Sequence, residues 1–252
     1  MHCKCNEKKK HKNFFKKKGK RFRKFYFVKK KDNNKRAHAC LHSQPMNTLV
    51  LVFAKSPKLG TVKTRLACSI GNKKALWIYE QLLHKTQAVL KNIPHKTVLF
   101  YSGKTAESLE TQFSTYEQYP QQGVDLGARM KAAFQWGFDA GYTKIIILGT
   151  DLWELEASLI TTAFELLEQQ NYVIGPATDG GYYLLGMKEP TPVIFAKKKW
   201  STSSVLKETL SHLKGKSVGF LDEKNDLDTL EDLKAIPELY TALKTQFDDQ
   251  KD

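Results

Sequence analysis

The stretch TLVLVFAKSPKLGTVKTRL, residues 48–66, decides how the rest of the chain is read. Thr48 to Ala54 is an unbroken run of apolar and β-branched residues, the composition of a strand buried on both faces. It leads straight into a turn holding one glycine, Gly60, and four cations, Lys55, Lys58, Lys63 and Arg65. Val62, Leu66 and Ile70 then recur every four residues, which is the spacing of one helix face. A helix N-terminus already carries partial positive charge, so cations gathered there are unfavourable by themselves. A negative ligand is expected at that turn.

Outward from this unit the pattern repeats. HKTVLFYS (95–102), KIIILGT (144–150) and YVIGPA (172–177) are further strands, and helical stripes fall over 76–89, 125–139 and 159–167. Alternation of this kind predicts an α/β fold, a mostly parallel mixed sheet with helices on both faces. YYLLG (182–186) follows as another apolar run. A helix capped by Ser201 or Thr202 and a last helix capped by Thr229 or Asp228 complete the chain.

The formal charge of +15 would suggest a polyanionic partner, but it is confined to one end. Residues 1–45 hold 17 of the 41 basic and 2 of the 26 acidic residues, which leaves 24 of each sign for 46–252. The tail is read as disordered, since it lacks apolar periodicity and repels itself. Phe14, Phe15, Phe22, Phe25, Tyr26 and Phe27 interleave with its charges in a way that could grip RNA. The alternative is an upstream extension, with the natural start at Met46. Cys3, Cys5 and Cys40 lie near His2, His11, His38 and His42, at spacings that match no common zinc pattern. No run approaches the ~18 apolar residues of a membrane span. With Cys68 alone in residues 46–252, a reduced cytoplasmic protein is expected.

In open α/β sheets, ligands collect beyond the carboxyl ends of the strands. Three loops leave that edge. The Lys55–Arg65 turn suits a phosphate, with Gly60 permitting close approach, or is an ordinary solvated turn; it has neither the Walker nor the GxGxxG pattern. Asp151, ending the IIIL strand, suits a divalent cation or a helix cap. Asp179-Gly180-Gly181 suits close approach of a ligand or a tight turn.

KSPKLGTVKTRL, DLGARM (125–130), GTD (149–151), GPATDGGYYLLG (175–186), WST (200–202) and DLDTLEDL (226–233) together resemble the radical-SAM/selenodomain-associated transferase 1 family, the arsenosugar-biosynthesis-type glycosyltransferases. The resemblance runs in order from 46 to about 235. It implies a GT-A, nucleotide-diphospho-sugar transferase fold, a nucleotide-sugar donor, a small-molecule acceptor and Mg²⁺ or Mn²⁺. By position it implies Lys55, Lys63 and Arg65 on the diphosphate, Asp125 and Arg129 near the nucleotide, and Asp151 on the metal. Asp226 or Asp228 would add a metal oxygen or cap a helix, and Asp179, beside Gly180 and Gly181, would face the acceptor as general base or face the metal. A nucleotidyltransferase of the same fold is the alternative. Two departures stand out. Val124 replaces the first glycine of GDLG, removing a flexible position near the nucleotide and narrowing the base pocket. Leu152-Trp153 replaces the Cys-Pro of GTDCP, altering how Asp151 is aimed.

Overall fold

The computed structural model describes residues 47–104, 107–196 and 198–248; the tail, with its disorder, RNA and zinc readings, lies outside them. Seven strands form one sheet: β1 (Thr48–Lys55), β2 (Lys96–Ser102), β3 (Glu117–Pro120), β4 (Lys144–Gly149), β5 (Tyr172–Pro176), β6 (Tyr182–Met187) and β7 (Val218–Phe220). Their order is β3-β2-β1-β4-β6-β5-β7. All pairs are parallel except those of β6 with β4 and β5. The expected mostly parallel mixed sheet is present.

The helices are α1 (Thr64–Ile70), α2 (Asn72–Leu90), α3 (Glu107–Gln112), α4 (Leu126–Asp139), α5 (Ala157–Gln169), α6 (Val205–His212), α7 (Leu230–Lys234) and α8 (Pro237–Asp248). The run in β1 is continuous because both of its faces are covered. Val50, Val52 and Ala54 pack with Tyr79 and Leu83 of α2 and Phe164 of α5. Leu49, Leu51 and Phe53 pack on the opposite face with Met130 and Phe134 of α4. Leu66, Ile78 and Leu82 meet Leu227, Leu233 and Leu239 in a third cluster that ties α1 and α2 to the C-terminal helices.

Several boundaries differ from expectation. α6 begins at Val205 with Ser204 at its cap position and no side-chain capping bond, so neither Ser201 nor Thr202 caps it. Thr229 caps α7 in a capping box with Asp232. Asp228 is thereby released from capping. Asp151 is no cap either, since α5 starts six residues later behind Glu156. Among the described residues no helix is long and apolar enough to cross a membrane.

Candidate active site

The parallel register of β1 with β2 and β4 brings Lys55, Ser102 and the Gly149-Thr150-Asp151 turn to one edge. β5 ends at the same edge, and because β6 runs back antiparallel, the turn between them delivers Asp179 and Tyr182 there as well. A cleft of about 830 Å³ opens between these loops. Its lining includes Lys55, Lys63, Arg65, Arg129, Asp151, Asp179, Gly181, Asp226 and Asp228. Residues 224–228 reach it by backbone bonds: Thr178 N–H donates to Lys224 O (3.0 Å) and Leu227 N–H to Asp151 O (3.0 Å). Leu227 is buried, and Asp226 and Asp228 flank it at the cleft.

Lys63 is at the centre of the charge arrangement. Its side chain is only 3% exposed, and its ammonium contacts Asp151 Oδ1 and, at 3.1 Å, Asp228 Oδ1. Burial alone would lower its pKa, but Asp151 and then Asp228 reverse that and hold it above the usual lysine range. Arg65, largely exposed, pairs with Asp228 Oδ2. Lys63 and Arg65, which the resemblance places on the diphosphate, are thus both held by carboxylates of this chain; for Lys63 the reason is that a buried ammonium needs an anion at once. Lys55 and Arg129 have no ion pair among the described residues. Arg129 Nε donates to Gly123 O (3.2 Å).

Asp226 is largely buried, and its carboxyl is pushed up to about 7, first by burial and then by repulsion from Asp151, with Lys63 opposing and Asp228 and Asp179 adding. Asp179 Oδ1 accepts from Gly181 N–H (2.8 Å). Gly180 has φ 86°, and a Cβ there would lie 2.3 Å from Ser203 O, so both the turn and the approach of the 200–203 loop require glycine.

Three predicted residues lie off the cleft lining: Gly180, in the turn just described, Asp125 and Gly60. Asp125 caps α4, its Oδ1 accepting from Ala128 N–H at 2.7 Å. Gly60 (φ 76°) shapes the turn without lining the cleft. The helix behind that turn begins at Thr64 and is seven residues long, so side-chain cations rather than the helix dipole are the main attraction for an anion. Val124 is 95% exposed and narrows no pocket. Gly123 (φ 144°) supplies the flexible position one residue earlier. Trp153 turns outward to donate to Glu238 of α8 (2.8 Å), while Leu152 is buried.

Tyr79, Gln121 and Trp200 are cleft residues that the sequence reading did not single out as site residues. Tyr79 OH accepts from Lys55 N–H (2.8 Å) and donates to Lys55 O (2.9 Å), fixing the end of β1; burial raises its pKa. It looked like one more core residue of a helical stripe. Gln121 Nε2 donates to Phe100 O (3.0 Å) and Ala54 O (3.3 Å), and nothing in its sequence context marks it. Trp200 lies against Gly127, where a Cβ would come within 2.3 Å of the indole. The glycine of DLGARM was the available signal.

A divalent cation fits the residue types here, since two carboxylate oxygens already converge on one cationic centre, Lys63 Nζ, and oxygen is the ligand such ions take. Among the described residues no group of three or more His, Cys, Asp or Glu is gathered closely enough to hold a metal. A cation would thus depend on phosphate and water oxygens for the rest of its shell.

A seven-stranded mixed sheet with a charged cleft at its carboxyl edge is the architecture of the nucleotide-diphospho-sugar transferase fold. A crystal structure from Desulfovibrio desulfuricans G20, described as a "putative nucleotide-diphospho-sugar transferase", matches with 30% identity and a TM-score of 0.72, over 80% of this chain and 98% of that one. Residues 85–202 match the family DUF2064, "Uncharacterized protein conserved in bacteria". By its identity and coverage, the chain belongs to the same family as the Desulfovibrio protein. Rv0371C of Mycobacterium tuberculosis H37Rv, in complex with manganese, matches at 14% identity and TM-score 0.50, over 75% of this chain and 98% of that one. The inositol-1-phosphate CTP transferase of T. maritima matches at 12% and 0.52, over 79% and 97%. These two share the fold alone. No curated protein matches the chain.

Proposed function

We propose that this protein is a glycosyltransferase of the radical-SAM/selenodomain-associated transferase 1 type, moving a sugar from a nucleoside-diphosphate sugar to a small-molecule acceptor with Mg²⁺ or Mn²⁺. The observation that carries the reading is the meeting, at one sheet edge, of Lys55 and Arg129 with the carboxylates Asp151 and Asp228. The Desulfovibrio relative's description supports it, as does a manganese complex of the same fold.

Lys55 and Arg129 bind the donor phosphates and stabilise charge growing on the departing diphosphate. Asp151 and Asp228 would hold the cation, which when bound neutralises the same charge. Asp179 is the general base. Its Oδ1 is fixed by Gly181 N–H, and Oδ2 takes the acceptor hydroxyl proton as that oxygen bonds the sugar's anomeric carbon and the diphosphate leaves with the bonding pair.

Incubation with each nucleotide sugar and each NTP, with Mg²⁺ or Mn²⁺ and an acceptor mixture, tests this. Nucleoside diphosphate release from a sugar donor is expected. Acceptor-dependent pyrophosphate release from an NTP would instead identify a nucleotidyltransferase.

A further inference from the structure

We propose that Lys63 is the resident counter-cation of the Asp151–Asp228 pair, and that a divalent metal and Lys63 exchange for these two carboxylates, metal entry freeing the ammonium for the donor diphosphate. The inference rests on the metal reading above, and it explains how one lysine can serve both the carboxylates and the donor.

Several observations converge. The ammonium contacts Oδ1 of both aspartates while its side chain is 3% exposed, so it sits where a small cation shared by the two would sit. Lys63 is held at φ 47°, ψ 45°, in the left-handed region that a lysine adopts only when something fixes it. It stands at the cap position of α1, where its donor-only ammonium cannot cap the helix, and the contacts that hold it are the ion pairs. Asp228 does not depend on Lys63 for its placement, because Arg65 pairs with its other oxygen, Oδ2. Asp151 is 46% exposed on its side chain and faces the cleft, so a cation arriving from solvent reaches it first.

The consequence is coupling. Metal entering alone displaces a buried ammonium and leaves it without an anion, so binding is weak. When a diphosphate arrives too, the displaced ammonium regains a partner. Metal and diphosphate then strengthen one another's binding, and the effect is reciprocal.

Mn²⁺ titration of the full chain without nucleotide, followed by electron paramagnetic resonance, tests the exchange in wild type and Lys63→Gln. The variant is expected to bind Mn²⁺ at least ~10-fold more tightly, because the competing ammonium is gone. Equal or weaker Mn²⁺ binding in Lys63→Gln overturns the exchange. Absence of Mn²⁺ binding in both proteins removes the metal reading itself, and the exchange with it. Should Lys63→Gln misfold, acetylation of the unaltered protein decides: labelling of Lys63, read by mass spectrometry, should rise several-fold at saturating Mn²⁺, and unchanged labelling overturns the proposal.

Discussion

Lys63 and Lys198 show how the same side chain answers to different surroundings. Burial around Lys63 is outweighed by Asp151 and Asp228, and its charge is kept. Lys198 donates to Thr209 Oγ1 and lies 5.6 Å from the Trp200 ring centroid. Burial lowers its pKa from 10.5 to about 8, with Glu208 opposing only in part. Between those values the unfolded chain binds a proton that the folded chain has released, so this group makes stability rise with pH across that window. Below it the folded protein carries the full penalty of a half-buried charge. Lys198→Met should therefore melt above wild type at pH 7, with the gap closing as pH approaches 10.5; paired melting curves across that range check the sign. Lys55 and Arg129 have a simpler expectation. A hydrogen bond to a charged group contributes about 1.5–3 kcal/mol, so replacing either with alanine should weaken donor binding by roughly 10- to 100-fold, measured by calorimetry.

Short elements carry the site, and their ends are where sequence and structure agree least. α7 is only five residues long, yet Thr229 and Asp232 cap it reciprocally. Asp232 Oδ2 also accepts from Asp228 N–H (3.0 Å), so the cap holds the carboxylate that meets Lys63 and Arg65. Thr229→Ala should cost about 1 kcal/mol of stability and loosen Asp228 with it. Chemical denaturation reads the first effect, and a several-fold loss of donor affinity reads the second. The turn between β5 and β6 is less forgiving. Gly180→Ala places a methyl against Ser203 O at a positive φ, which predicts a loss of about 1–3 kcal/mol and a raised acceptor KM as the 200–203 loop shifts. Retention of both stability and KM would show that the turn tolerates a side chain.

Across the whole molecule, sheet order converts distant segments into one cleft, and ligand binding should be legible as global stability. A nucleotide sugar at a hundredfold excess over its Kd raises apparent stability by roughly 2.7 kcal/mol, so a thermal-shift panel with and without Mn²⁺ should single out one donor and show it strengthened by the metal. A flat panel would remove the donor reading. The sequence by itself determined what is local: β1, β2, β4 and β5 as buried apolar runs, the stripes of α2, α4 and α5, and Lys55, Asp151 and Asp179 at strand ends, because period and composition act within a few residues. It could not mark β3 or β7, which are short edge strands with partly exposed side chains. Nor could it reverse β6, since parallel and antiparallel pairing leave the same apolar run. Only the tertiary structure decided that Lys63 closes on Asp228, 165 residues away, or that Trp200 lies on Gly127. Such contacts depend on which loops the finished sheet brings to one edge, and a buried charge takes whichever opposite charge the fold places beside it.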